Sequence, residues 1–167
     1  QATFQIDNDT TLLGGNISGS GELIKTGAGT LVLSGNNSYT MGSDLSFATD
    51  LEAGTLVGST NSLVGNIFIG DGTTLIFLQP AEGEYSGTFT SGPLATGVLQ
   101  IGNSTSSPFP LLQISNSSPD FLGQTHIFSS GTLNVTGSLA NSPFLIDAGG
   151  FLKGTGTVGP LTNSGTI

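Results

Sequence analysis

The sequence has no cysteine, no tryptophan and no arginine among its 167 residues, and its basic residues are Lys25, Lys153 and a single histidine. Without cysteine, disulfide bonds, thiol catalysis and thiolate metal sites are excluded. A nucleic-acid binder needs a basic surface that displaces counterions, so the net charge of -9 predicts that the chain binds no nucleic acid. No run of about 18 apolar residues is present, so no membrane-spanning helix is expected.

Charged residues make up only 8% of the sequence, whereas glycine contributes 27 residues. Thr, Ser and Asn supply most of the polarity, and these residues favour turns and strands over helix interiors. Apolar residues alternate with other residues in short runs, for example at Leu31/Leu33 and Leu75/Phe77, and Gly, Asn and Ser bound these runs. The sequence therefore predicts an all-β chain with essentially no helix.

Short segments of the sequence recur. IDNDTTL at residues 6–12 is similar to IGDGTTL at residues 69–75 and to IDAGGFL at residues 146–152. The separation between Leu56 and Leu75 along the chain equals that between Leu133 and Leu152. We interpret residues 1–167 as one domain with sub-repeats at about 6–68, 69–145 and 146–167, each built from smaller units, and with an irregular middle section at about 77–128.

A β-solenoid requires a recurring unit, because each coil lays its strands on those of its neighbours at about 4.8 Å per coil. A β-sandwich also has short strands but needs no repeat, and it remains the alternative. In a solenoid, Leu31 and Leu33 point inward, Thr30 and Val32 point outward, and glycines turn the corners. We therefore predict a solenoid of about eight coils. Its inward leucines are expected to stack along one axis, namely Leu31, Leu56, Leu75, Leu133 and Leu152.

Two segments depart from the repeat and are candidate binding loops. They are LQPAEGEYSG at residues 78–87 and STSSPFPLLQ at residues 104–113. Proline cannot donate to a strand ladder, and insertions in a solenoid project from one face and often bind partners. The candidate binding residues are Glu82, Glu84, Tyr85, Pro108, Phe109 and Pro110. For Phe109, the alternative is a core position beside a kink.

Catalytic and metal sites are weaker interpretations of the sequence. Glu82 and Glu84 would share one face of a strand, as in a paired-carboxylate glycosidase, but the chain has no Trp and only two Tyr to form sugar platforms. For His126 to act as a catalytic base, it would need a serine nucleophile to activate, and the sequence contains no G-x-S-x-G nucleophile motif. The D-N-D at residues 7–9 lacks the G-G-x-G-x-D signature of calcium-binding β-rolls, so a plain turn is favoured. We expect no enzyme activity, no metal and no cofactor.

The segment ISGSGELIKTGAGTLVLSGNNSYT at residues 17–40 resembles the passenger-associated β-strand repeat of bacterial autotransporters. The family pattern is roughly G-x-L-x-K-x-G-x-G-x-L-x-L-x-G-x-N-x-Y-T-G, and Met41 stands where the last glycine is usual. The positions that fit the pattern are Gly21, Leu23, Lys25, Gly27, Gly29, Leu31, Leu33, Gly35, Asn37, Tyr39 and Thr40. AGTL at residues 53–56 and the GTGTVG-containing stretch at residues 130–167 extend the resemblance.

This resemblance implies a right-handed parallel β-helix that a C-terminal β-barrel exports across the outer membrane. We expect that barrel in the full-length protein, of which residues 1–167 would be a fragment at the bacterial surface or outside the cell. The predicted function is a non-enzymatic stalk or scaffold for adhesion, with a receptor on a host cell or on a cell of the same kind. Two alternatives remain open: a polysaccharide-binding or polysaccharide-acting β-helix, and a self-associating module.

Overall fold

The structure, a computed structural model, describes residues 1–41, 46–104 and 110–167. The described residues form strands and turns and contain no helix. Their strands are β1 (Ala2–Gln5), β2 (Thr10–Leu13), β3 (Ser18–Ser20), β4 (Leu23–Thr26), β5 (Thr30–Leu33), β6 (Ser38–Thr40), β7 (Thr49–Leu51), β8 (Thr55–Gly58), β9 (Ile67–Ile69), β10 (Thr74–Phe77), β11 (Gly83–Tyr85), β12 (Phe89–Ser91), β13 (Val98–Ile101), β14 (Leu112–Ile114), β15 (Gln124–Ile127), β16 (Thr132–Val135), β17 (Ser138–Leu139), β18 (Phe144–Ile146), β19 (Phe151–Gly154), β20 (Thr157–Val158) and β21 (Leu161–Asn163).

The strands pair in parallel and form three faces of a solenoid. The first face is the five-stranded sheet β1-β4-β7-β9-β12, and the second face is the eight-stranded sheet β2-β5-β8-β10-β13-β15-β18-β21. The third face contains the pair β3-β6 and the four-stranded sheet β11-β14-β16-β19. The pair β17-β20 continues the first face beyond β12. Two contacts join it to that sheet: a hydrogen bond from Ser91 N to Asp120 O (3.2 Å) and a parallel bridge between Ser117 and Ser138.

The coils of the solenoid differ in length. On the second face, the longest step from one strand to its partner in the next coil runs from Val98 to Gln124. The shortest step on that face runs from Phe144 to Leu161. Eight strands on one face correspond to about seven turns, and the predicted all-β parallel solenoid is confirmed. The boundaries of the larger sub-repeats stay a prediction.

Side chains alternate between the core and the surface as predicted. Leu31 and Leu33 are buried, whereas Thr30 and Val32 are half-buried. One inward column on the second face consists of Leu31, Leu56, Leu75 and Leu99. Another column, on the third face, consists of Leu112, Leu133 and Leu152. The prediction of a single leucine column is wrong, because the segments around Leu56 and Leu133 occupy different faces.

Asparagine and glycine allow neighbouring coils to approach closely at the corners. Asn37 is almost completely buried; its Oδ1 accepts a hydrogen bond from Ile17 N (2.8 Å), and its Nδ2 donates one to Ser62 O (2.8 Å). One uncharged side chain thus satisfies backbone groups of the coil before and the coil after. At Gly35, a Cβ atom would lie only 2.3 Å from Gly15 O, so no larger residue fits without moving the backbone.

Lys25 joins the second coil to the third. The side chain is fully buried, and its ammonium group donates hydrogen bonds to Thr26 O (2.8 Å), Gly27 O (2.7 Å) and Ala53 O (3.1 Å). Burial lowers the pKa of Lys25, and the negative charge of Asp7 opposes that shift. The lysine of the repeat pattern therefore links two coils from inside the solenoid, and backbone carbonyl groups stabilise its charge in place of a carboxylate.

Candidate functional site

Three of the predicted binding residues converge on the third face. Glu82 directly precedes β11 and Glu84 lies within it, and both side chains are exposed. Pro110 is half-buried and lies shortly before β14, the neighbouring strand of the same sheet. Gly83 N donates a hydrogen bond to Leu111 O (3.0 Å), which joins the two segments. The other two loop candidates, Pro108 and Phe109, lie outside the described residues.

Tyr85 is a core residue, contrary to the prediction that it is exposed. It is 3% exposed, and its ring stacks on that of Phe89 with centroids 4.8 Å apart. Its hydroxyl donates a hydrogen bond to Gly65 O. Burial, and to a smaller extent the charge of Tyr39, raises the pKa of Tyr85 well above its ordinary value. Alternation within β11 explains the difference, because Glu84 points outward and its neighbour must then point inward.

A small cavity lies beside Glu84, between the third and fourth coils. Its volume is about 230 Å³. Pockets for drug-sized ligands are roughly 300–1,000 Å³, so this cavity accommodates only a small chemical group. The lining residues are Thr60, Leu63, Val64, Gly65, Glu84, Tyr85, Ser86 and Gly87.

Two outward columns of side chains cover the four-stranded sheet beyond this cavity. The first column consists of Glu84, Gln113, Asn134 and Lys153. The second column contains Thr132, Phe151 and Thr166. Phe151 is 49% exposed, which is unusual for an aromatic residue in a strand. Sequence reasoning missed these neighbours; alternation within TLNV and FLKG indicates which residues point outward, but not which coils lie side by side.

His126 and Asp147 meet on the second face. Their Nε2 and Oδ1 atoms are 3.1 Å apart, and the imidazole lies 4.0 Å from the ring of Phe128 between centroids. Among the described residues, no serine hydroxyl is hydrogen-bonded to His126. The pair therefore connects two coils at the surface and has no serine positioned for activation within the described part of the chain.

Asp71 stabilises the turn of the next coil. Its Oδ2 accepts a hydrogen bond from Leu94 N (3.0 Å), and its Oδ1 accepts hydrogen bonds from Thr96 N (3.2 Å) and Thr96 Oγ1 (3.3 Å). These bonds, first of all the one from Leu94, lower the pKa of Asp71. The same turn holds Ala95 at a positive φ of 55°. No group of three or more His, Asp or Glu residues in the described ranges could hold a metal ion.

Asp50 is a partly buried acid on the outer side of the first face. It is in register with Ile24 on one side and Phe68 on the other. Its Oδ1 atom is buried and has no hydrogen-bond partner among the described residues. Burial, together with the charges of Glu52 and Glu22, raises the pKa of Asp50 to about 6. At neutral pH this carboxyl group is mostly charged, and its charge destabilises the folded chain.

Residues 23–57 match the family described as passenger-associated-transport-repeat. The match begins at β4 and ends within β8, so it contains Lys25, Asn37 and the start of the leucine column. The resemblance found in the sequence is thereby confirmed: the chain carries a repeat of autotransporter passengers, which supports a secreted or cell-surface passenger. No curated protein and no solved structure matches the chain. None of the described segments forms a helix that is long and apolar enough to cross a membrane.

Proposed function

We propose that the chain is a non-enzymatic segment of an autotransporter passenger that acts as a stalk or scaffold for adhesion at the bacterial surface. The observation that carries this proposal is the position of the passenger repeat. Residues 23–57 lie in the second and third coils, and the second face continues through them without interruption.

The architecture suits a stalk. Each coil contacts only its neighbours, so stability and stiffness extend along the axis. Seven turns at about 4.8 Å per coil give a rod about 35 Å long. The partner in this proposal is a receptor on a host cell or on a cell of the same kind, held away from the membrane by the rod.

The test uses the full-length protein produced in a bacterium with an outer membrane. Fab fragments raised against residues 1–167 should label intact cells and should reduce adhesion of those cells to host cells or to each other. Labelling that appears only after the outer membrane is permeabilised would contradict surface exposure. Labelling of intact cells without any loss of adhesion would contradict the scaffold role.

A second candidate function, self-association, is favoured by the second face. None of its eight strands contains Asp, Glu or Lys, although the whole chain has a net charge of -9. Two copies would repel each other least at this face. Its outward side carries an uncharged threonine column, consisting of Thr10, Thr30, Thr55 and Thr74. Sedimentation that depends on concentration would support self-association, and a single concentration-independent species would exclude it.

A further inference from the structure

We propose that the third face binds an uncharged polysaccharide along a surface that we name the amide strip, formed by Gln113, Thr132, Asn134, Phe151 and Lys153. This inference rests on the proposed function, because it names the ligand through which a surface-exposed scaffold would adhere. The strip lies on three successive coils of the four-stranded sheet, so its side chains repeat at about 4.8 Å along the axis.

The two amides of the strip are oriented by each other. Asn134 Nδ2 donates a hydrogen bond to Gln113 Oε1 (2.8 Å), and both side chains are half-buried. Gln113 Nε2 then remains as a donor and Asn134 Oδ1 as an acceptor, and neither has a hydrogen-bond partner among the described residues. Sugar hydroxyls both donate and accept hydrogen bonds. An amide pair that is already oriented loses little side-chain entropy on binding them.

Phe151 provides an apolar platform beside the amides. Its neighbours in the outward column are Thr132 and Thr166, whose side chains are small, and Phe151 stays 49% exposed. Phe151 and Lys153 are two residues apart in β19 and therefore point to the same side. A sugar ring presents C–H groups on its face and hydroxyls at its edge. It can therefore pack on an aromatic ring while its edge reaches the polar neighbours.

The charge of this surface favours an uncharged ligand. The chain has a net charge of -9 and no arginine, and Lys25 is buried, so Lys153 is its only exposed lysine. The four-stranded sheet contains one acid, Glu84, and one base, Lys153, so it is neutral overall. An anionic polymer would be repelled by the rest of the chain, whereas an uncharged polymer would not.

The dimensions favour a narrow linear polymer over a protein partner. With Thr166 included, the surface extends about 15 Å along the axis and about 10 Å across, or roughly 150 Å² in projection. A standard protein–protein interface takes about 800 Å² from each partner and several aromatic anchors. The strip offers a single aromatic ring flanked by hydrogen-bonding groups.

The test is affinity electrophoresis of the full-length passenger in gels that contain dextran, mannan, xylan or hydroxyethylcellulose, with alginate as the anionic probe. We expect at least one neutral polysaccharide to retard the wild type. Phe151→Ala and Asn134→Ala should each weaken binding about tenfold, the loss of one good contact. Leu94→Ala is the matched control, because Leu94 is 74% exposed and lies in the turn between β12 and β13. Thermal melting of each variant shows whether it is folded.

Three outcomes would overturn the inference. In the first, no neutral polysaccharide retards the wild type. In the second, Phe151→Ala and Leu94→Ala are retarded equally. In the third, only alginate retards the wild type, and this retardation disappears when salt is added. Fab labelling of intact cells separates this failure from failure of the scaffold proposal. Labelled cells whose adhesion survives Phe151→Ala refute the polysaccharide site and keep the scaffold, whereas unlabelled cells refute the scaffold.

Discussion

Replacement of Lys25 by methionine tests how the coils are held together. Methionine keeps the approximate length and volume of the side chain but removes the ammonium group. That group donates hydrogen bonds to Thr26 O, Gly27 O and Ala53 O at 2.8, 2.7 and 3.1 Å. Lys25 is fully buried, whereas Gly27 and Ala53 are half-buried, so water replaces the lost donor only in part. The variant therefore isolates the contribution of these hydrogen bonds from that of packing.

The expected loss follows from the carbonyl groups that remain. Thr26 O keeps one partner, since Ile6 N donates to it at 3.0 Å. Gly27 O and Ala53 O have no other hydrogen bond among the described residues. An unsatisfied buried group costs about 1–3 kcal/mol, and the half-buried Gly27 and Ala53 incur only part of that cost, so Lys25→Met should reduce the free energy of unfolding by about 1–3 kcal/mol. Lys25→Ala also leaves a cavity and should lose at least about 2 kcal/mol more.

The measurement is urea unfolding followed by circular dichroism, combined with amide hydrogen exchange. Exchange should accelerate first in the second and third coils, because each coil of a solenoid contacts only its neighbours. Lys153→Met is the matched control, since Lys153 is exposed. A Lys25→Met variant as stable as the wild type, or more stable, would refute the reasoning. It would mean that desolvation of the ammonium group outweighs its hydrogen bonds.

Three further substitutions test the acid on the first face and the corners between coils. Because the pKa of Asp50 is raised from 3.8 to about 6, the folded chain binds more protons than the unfolded chain in that range, and stability falls as pH rises through it. Two pKa units correspond to about 3 kcal/mol, which partial exposure reduces to about 1–2 kcal/mol, so Asp50→Asn should gain that much at pH 7 and nothing below pH 4. Asn37→Ala leaves Ile17 N and Ser62 O unpaired and should cost about 2–4 kcal/mol in urea unfolding. Gly35→Ala should lower the melting temperature, because its Cβ would lie 2.3 Å from a backbone oxygen of the preceding coil.

The two corner substitutions, Asn37→Ala and Gly35→Ala, each have a matched control in the chain. Asn36→Ala should be nearly neutral, because Asn36 is exposed and its side chain has no hydrogen bond among the described residues; its backbone N–H donates to Asn16 Oδ1. Gly15→Ala should also be neutral, since a Cβ there meets nothing within 4 Å. A control that loses as much stability as its partner would contradict the specific roles assigned to the Asn37 amide and to the close approach at Gly35. An Asp50→Asn variant whose stability parallels that of the wild type at every pH would refute the destabilisation assigned to the Asp50 charge.

Part of the candidate site was predictable from residue types. Proline and the charged pair in LQPAEGEYSG mark a departure from the repeat, and the structure places Glu82 and Glu84 on the surface. The assignment of Tyr85 failed because an aromatic residue in a polar segment suggests a loop, whereas β11 is a strand with Tyr85 facing inward. Alternation from Glu84 would have indicated this, had the segment been recognised as a strand.

The amide strip could not be found in the same way. Gln113, Asn134 and Phe151 come from three coils, and each looks ordinary in its own segment. They become neighbours only because Gln113 pairs with Asn134 and Thr132 pairs with Phe151. The burial of Lys25 was likewise not apparent, because a lysine side chain normally faces water.

The sequence by itself determined the fold class and the inward side chains of most strands, because strand periodicity is a local property that two neighbouring residues already express. The equal spacing within the pairs Leu56/Leu75 and Leu133/Leu152 also indicated one full coil, since the two members of each pair are in register. Tertiary structure alone decided which coils and faces meet. The coils differ in the number of residues between their strands, so distance along the chain does not set the register of the strands. Register instead follows from packing and hydrogen bonding between coils, which place Leu56 and Leu133 on different faces.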